Sequence, residues 1–106
     1  MNDRGAASIY AVAIGLTLTL AGLAVAVHGT QLVAAAQARS AADLGALAGA
    51  MRAGAGVGTA CVRAGEVISA NGAVMRSCTV DGLDVLLTAE VRGRTAMARA
   101  GPVRTR

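Results

Sequence analysis

Aromatic residues are all but missing from this chain: Tyr10 stands alone, with no Phe and no Trp. A core must therefore be assembled from Val, Leu, Ile, Met and many Ala. Interfaces must be shallow too, because binding hot spots favour Trp, Tyr and Arg. Lysine is also absent, so all 10 basic residues are Arg. In a chain this rich in Ala and Gly, that bias reads first as gene base composition. The net charge of +4 comes mostly from Arg76, Arg92, Arg94, Arg99, Arg104 and Arg106. Without aromatic rings on which bases could stack, this charge does not point to nucleic acid. The basic tail, 103–106, reads as a solvated end.

Catalytic parts are equally scarce. His28 is the only histidine, and it sits at the end of an apolar run, where a polar ring beside lipid headgroups needs no further role. No nucleophile–base pair can be assembled without it. Glu66 reads as exposed on a helix, Asp81 as a turn residue and Asp84 as a solvent-facing strand residue. The glycines form no phosphate-binding loop after a strand. Two widely spaced cysteines without a nearby His make a poor metal-ligand set. The expectation is a protein that is not an enzyme, with no catalytic or metal-binding residue, no cofactor and no small-molecule substrate.

What is present begins with a gap in charge. Between Gly5 and Ala38 there is no Asp, Glu, Lys or Arg. Its first part, 5–27, is long and apolar enough to cross a bilayer as a helix, which takes about 20 residues. Three fates are open to it: a retained transmembrane helix, a cleaved secretory signal, or the packing helix of a pilus-like fibre. A signal needs an apolar stretch of about 7–15 residues and a small-residue cleavage site. Ala24-Val25-Ala26 and Ala36-Gln37-Ala38 would serve, but the run is longer than a signal requires. We read the helix as retained.

Ser8, Gly15, Gly22, Gly29 and Ala36 recur every seven residues, so they stay near one side of a helix. Small side chains in such a file let a second helix approach closely. No Pro or turn cluster follows, and 28–53 continues as a helical extension, giving one helix over about 6–53. Leu32, Ala36, Ser40, Leu44, Leu47 and Met51 fall near one stripe of it. Gly45 and Gly49 add a second close-packing point to the seam.

A Gly-rich linker, 54–58, leads to a small unit over 59–102. Thr59 is the expected N-cap of a helix over 60–71. Strands over 74–80 and 83–91 flank Asp81-Gly82, a hairpin signal. Val85, Leu87, Ala89 and Val91 share one face of the second strand. Arg92-Gly93-Arg94 forms another turn, and 95–100 a third, weaker strand. The fold class is thus α+β: a long N-terminal helix, a short helix and a small antiparallel sheet of two or three strands.

Cys61 and Cys78 are the only cysteines. A disulfide between them would tie the short helix to the first strand and stabilise by about 3 kcal/mol. Two unrelated buried thiols are the other reading. If the bond forms, this unit lies outside the cytoplasm and the N-terminus, 1–4, lies inside.

The order of these pieces resembles a known family. Asp3-Arg4-Gly5, the apolar helix, Ala38-Arg39-Ser40-Ala41-Ala42-Asp43-Leu44-Gly45-Ala46-Leu47-Ala48-Gly49-Ala50-Met51, Cys61, Asn71-Gly72-Ala73, Cys78, Asp81-Gly82-Leu83-Asp84-Val85 and Ala98-Arg99-Ala100-Gly101-Pro102 are similar to the small actinobacterial TadE/TadG-like proteins of tight-adherence (Flp-type) pilus and secretion clusters. The resemblance implies a pilin-like minor pilin or pseudopilin-like envelope protein. It would sit in the cytoplasmic membrane with its small unit outside, beside other pilin-like or Tad-type assembly proteins and the lipid bilayer. It also implies a possible processing site between Gly5 and Ala6. Relatives usually carry a Glu five residues into the mature chain; here that position is Tyr10. The alternative is a small secreted or membrane-tethered binding protein whose N-terminal helix is a signal or a plain anchor.

Overall fold

The protein is described by a computed structural model covering the backbone of residues 3–102 and the side chains of 5–102. The side chains of the expected cytoplasmic N-terminus, 1–4, and all of the basic tail, 103–106, lie outside the described residues. The element order is α1 (Asp3–Ala50), a short 3-10 turn (Ala53–Ala55), α2 (Val57–Ala70), β1 (Val74–Asp81), β2 (Asp84–Val91) and β3 (Arg94–Ala100). This is the expected α+β class, with a three-stranded antiparallel sheet in the order β1-β2-β3.

The chain divides into two compact units, Met1–Thr30 and Gln31–Arg106. The first consists of the N-terminal part of α1. Its threonine hydroxyls are satisfied within the helix. Thr17 and Thr19 donate to the carbonyls of Ala13 and Gly15, and Thr30 donates to Val27, each at 2.8 Å. Such internal pairing is what a helix in hydrocarbon requires, since no water is there to take the bond.

The second unit, the head, comprises residues 31–50 of α1, then α2 and the sheet. Here α1 buries its small side chains. Ala34, Ala38, Ala41, Ala42 and Ala46 lie in the core, together with Ala60, Ala64 and Ile68 of α2 and Val85, Leu87, Ala89 and Val91 of β2. Ile68, Leu87 and Val85 are the largest fully buried side chains. With so few large groups inside, the elements fill space by approaching each other closely. β2 buries the face that its alternation marks.

The stripe of Leu32, Ala36, Ser40, Leu44, Leu47 and Met51 is exposed along its whole length. From residue 31 onward the extension 28–53 is one wall of the head, through its buried alanines.

Several boundaries move for physical reasons. Helix α1 stops at Ala50 rather than Ala53, and Ala53 is drawn into the core. The chain turns immediately, so the linker over 54–58 shrinks and α2 starts at Val57. Gly56 is its N-cap, without a side-chain cap, and Thr59 lies inside the first turn rather than capping it. Asp81 pairs with Asp84 as the last rung of β1 and β2, which leaves Gly82-Leu83 as the loop. Gly82 takes φ 64°, and a two-residue loop with glycine first is one of the two favoured hairpin forms. The register of β1 shifts between Met75 and Ser77, where Arg76 is the extra residue.

Cys61 and Cys78 form the disulfide, joining α2 to β1 with a Cα–Cα distance of 5.9 Å.

Candidate functional site

The apolar segment is the first candidate. Its 18-residue core window contributes nothing to the interior. Ile9, Val12, Leu16, Leu20, Leu23 and Val27 are all exposed. A helix this long and apolar, with no apolar residue covered, meets the requirement for a membrane span. The length and composition would equally suit a signal sequence. Gly5 and Ala6 lie in the first turns of α1.

The packing seam separates into two sets. Gly15, Gly22 and Gly29 face open space, with no atom within 4 Å of where a Cβ would stand. Ser8 and Ala36 are exposed as well. Gly45 and Gly49 are already occupied by the chain itself. A Cβ on Gly45 would stand 2.6 Å from Ile68 Cγ1, and one on Gly49 would stand 3.1 Å from the Ala60 carbonyl and 3.2 Å from Ala64 Cβ. Their partners are α2 and, through Val85, β2, so these two are removed from any intermolecular seam. The four-residue spacing marks a close approach correctly but cannot say which helix fills it.

Two polar links hold residues 31–50 of α1 against the rest of the head. Gln37 Nε2 donates to the carbonyl of Asn71 at 3.1 Å, and Arg39 Nη1 donates to the carbonyl of Met97 at 3.2 Å. Arg39 also pairs with Asp43 on its own helix at 3.4 Å.

Asp84 departs from its expected place in solvent: it is 6 % exposed. Arg99 Nη2 and Nε donate to its Oδ2 at 2.5 and 3.2 Å. The reason is register. Leu86 pairs with Arg99, so Asp84 and Arg99 are diagonal neighbours on one sheet face, within reach of a long side chain. A Cβ at Gly101 would run into the Asp84 carboxylate, so the chain itself closes over the pair. The hydrogen bond from Arg99 to Asp84, and then the Asp84 charge, raise the Arg99 pKa above the ordinary arginine value. A raised value means that the contribution of the cation is complete below the ordinary value and is lost only at higher pH. The pair is therefore charged on the arginine side throughout the physiological range. Removing Arg99 leaves a buried carboxylate without its guanidinium, whereas removing Asp84 leaves an arginine that solvent can hydrate. Thermal melts should show Arg99→Ala lowering Tm more than Asp84→Ala; the reverse order would mean that the pair does not govern this corner.

Two shallow grooves lie on the head. One is lined by Leu47, Ala50, Met51, Leu83, Gly101 and Pro102, the other by Arg52, Gly58, Thr59, Val62, Arg63 and Glu66. Glu66 is exposed and accepts from Arg63 Nη1 at 3.2 Å. Among the described residues, no group of three His, Cys, Asp or Glu side chains could hold a metal ion.

The chain matches no protein-family model, no curated protein and no solved structure.

Proposed function

We propose that this chain is a membrane-anchored structural protein of the TadE/TadG-like class, a minor pilin or pseudopilin-like component of a tight-adherence pilus assembly or secretion system. It acts by helix packing and not by catalysis. One observation carries the reading: the apolar part of α1 covers none of its own large side chains. Apolar surface of that extent stays in water only at high cost, so bilayer or partner helices are its natural surroundings. The resemblance of 3–5, 38–51, Cys61, 71–73, Cys78, 81–85 and 98–102 to that family supplies the class. The Cys61–Cys78 disulfide supports a head outside the cytoplasm, with the N-terminus inside. The partners would be other pilin-like or Tad-type membrane proteins, met along Ser8, Gly15, Gly22, Gly29 and Ala36.

The test is carbonate extraction of membranes containing the full chain, combined with mass spectrometry of its N-terminus. The expected result is an integral protein beginning at Met1, or at Ala6 if a prepilin-type peptidase acts. A soluble product beginning at Val27 would overturn anchoring and establish the secreted alternative. That second reading has one observation in its favour: the head starts only at Gln31, so a cut after Ala26 leaves it whole. A cut after Ala38 would instead strip Ala34 and Ala38 from the core and is not expected.

The seam makes its own prediction. Gly15→Leu and Gly22→Leu together should weaken co-purification with membrane partners several-fold, because two large side chains would hold a neighbouring backbone away. Unchanged association would remove the seam from the mechanism.

A further inference from the structure

Among the described side chains, the arginines divide into two groups. Arg39, Arg63, Arg76 and Arg99 each have a carboxylate partner. Arg52, Arg92 and Arg94 have none. Two of these three stand together at one hairpin tip. Val91 pairs with Arg94 as the last rung of β2 and β3, leaving Arg92-Gly93 as the loop. Both arginines are exposed. Arg92 has φ 50° and Gly93 φ 81°, the form in which both loop residues are left-handed and Asn-Gly is the usual choice. An arginine is held where turn chemistry favours a short polar side chain.

The other hairpin is closed by Asp81 and Asp84, flanking Gly82-Leu83, and there Asp84 is paired with Arg99. In a three-stranded meander the two loops lie at opposite ends of the sheet, so the arginine tip and the aspartate loop are at opposite ends of the head.

The direction of α1 through the head tells the two ends apart. Arg39 reaches the carbonyl of Met97. Leu47, Ala50 and Met51 line a groove with Leu83, Gly101 and Pro102. Thus β3 and α1 run in the same sense, and the aspartate loop belongs to the Met51 end. Arg94 lies three residues before Met97, roughly 10 Å along the strand, towards the end where Gln31 enters. The Gln37–Asn71 bond fixes the α2–β1 junction at that same end. Connectivity alone keeps Gln31 within a few residues of the apolar segment that closes with Val27 and His28.

We infer that the Arg92-Gly93-Arg94 hairpin, at the end of the head where Gln31 enters, is a contact for anionic phospholipid headgroups. This rests on the reading of the apolar segment as a membrane anchor. The headgroup phosphates supply the counter-charge that the chain itself does not give to Arg92 and Arg94. Guanidinium groups suit them, because a planar fork of donors matches phosphate oxygens. Basic residues close to an anionic membrane surface each strengthen binding, and the effect fades within a Debye length. Arg52, equally unpaired but at the other end of α1, serves as the internal control.

The test uses the full chain in a neutral detergent, titrated with phosphatidylglycerol and with phosphatidylcholine and read by native mass spectrometry. Wild type should prefer phosphatidylglycerol. Arg92→Gln with Arg94→Gln should weaken that binding ~25-fold, about fivefold for each charge. Arg52→Gln should leave it unchanged. Equal binding by wild type and the double variant would overturn the contact while leaving the anchor intact. Unchanged lipid binding with weakened binding of soluble polyphosphate would overturn it as well, by making the hairpin a site for a soluble polyanion. Failure of the anchor reading is seen separately, as wild-type chain released from membranes by carbonate, and would end this proposal too.

Discussion

Gly45→Leu combined with Gly49→Leu should lower the stability of the head by about 2–4 kcal/mol, the overpacking cost at two tight sites less the gain in helix propensity. A head of this size has only about 5–10 kcal/mol in total, so a loss of 10 °C or more in Tm is expected. The two positions should not respond alike to alanine. At Gly45 the nearest atoms, 2.6 and 2.8 Å from a built Cβ, belong to Ile68, with the Ala64 carbonyl at 3.3 Å. Ile68 is β-branched and fully buried, so it has no free rotamer to turn into, and Gly45→Ala should destabilise by overpacking. At Gly49 the nearest atom is the Ala60 carbonyl, followed by Ala64 Cβ and Val85 Cγ1 at 3.3 Å. These need give way by only a few tenths of an ångström, so Gly49→Ala should cost less than Gly45→Ala. Gly15→Leu and Gly22→Leu, in open space, should leave the Tm of the head untouched. A double leucine variant that melts like wild type would show that α1 and α2 are not in close contact.

Removing the disulfide should have an effect of similar size. The bond spans 17 residues, and a loop of that length restricts the unfolded chain by about 3 kcal/mol. It also ties α2 to the sheet at a point where the core offers little else. The α2 side chains that are fully buried are two alanines and Ile68, and alanines bring little apolar area. Cys61→Ser with Cys78→Ser should therefore lower Tm by ~12–20 °C, and adding reductant to wild type should reproduce the shift. Overlapping melts with and without reductant would mean that the head is held by packing alone.

Much of this architecture could be read from residue order. Alternation placed Val85, Leu87, Ala89 and Val91 on one face, and the two cysteines fell on elements that the fold brings together. The buried face of α1 was not legible in its stripe of large residues, because a head poor in bulky side chains is best filled by bringing backbones together. Close approach favours the alanine and glycine face, so the leucines were left outside. Asp84 failed for another reason. Its burial depends on strand register, because only the pairing of Leu86 with Arg99 brings a cation diagonally across to it. The same limit applies to the Arg92–Arg94 tip: the charges were plain in the sequence, but which end of the sheet bears them required the fold.

Tyr10 gives the molecule an unusual optical property. It is the sole side chain able to absorb and emit as an aromatic, and it belongs to the apolar segment, where it is exposed. All intrinsic tyrosine emission thus originates there and responds to the polarity of whatever surrounds that stretch of α1. The head contributes no aromatic signal at all. Transfer of the chain from detergent to vesicles can be followed without a label, and a form lacking the first 26 residues would be identifiable by the loss of tyrosine absorption.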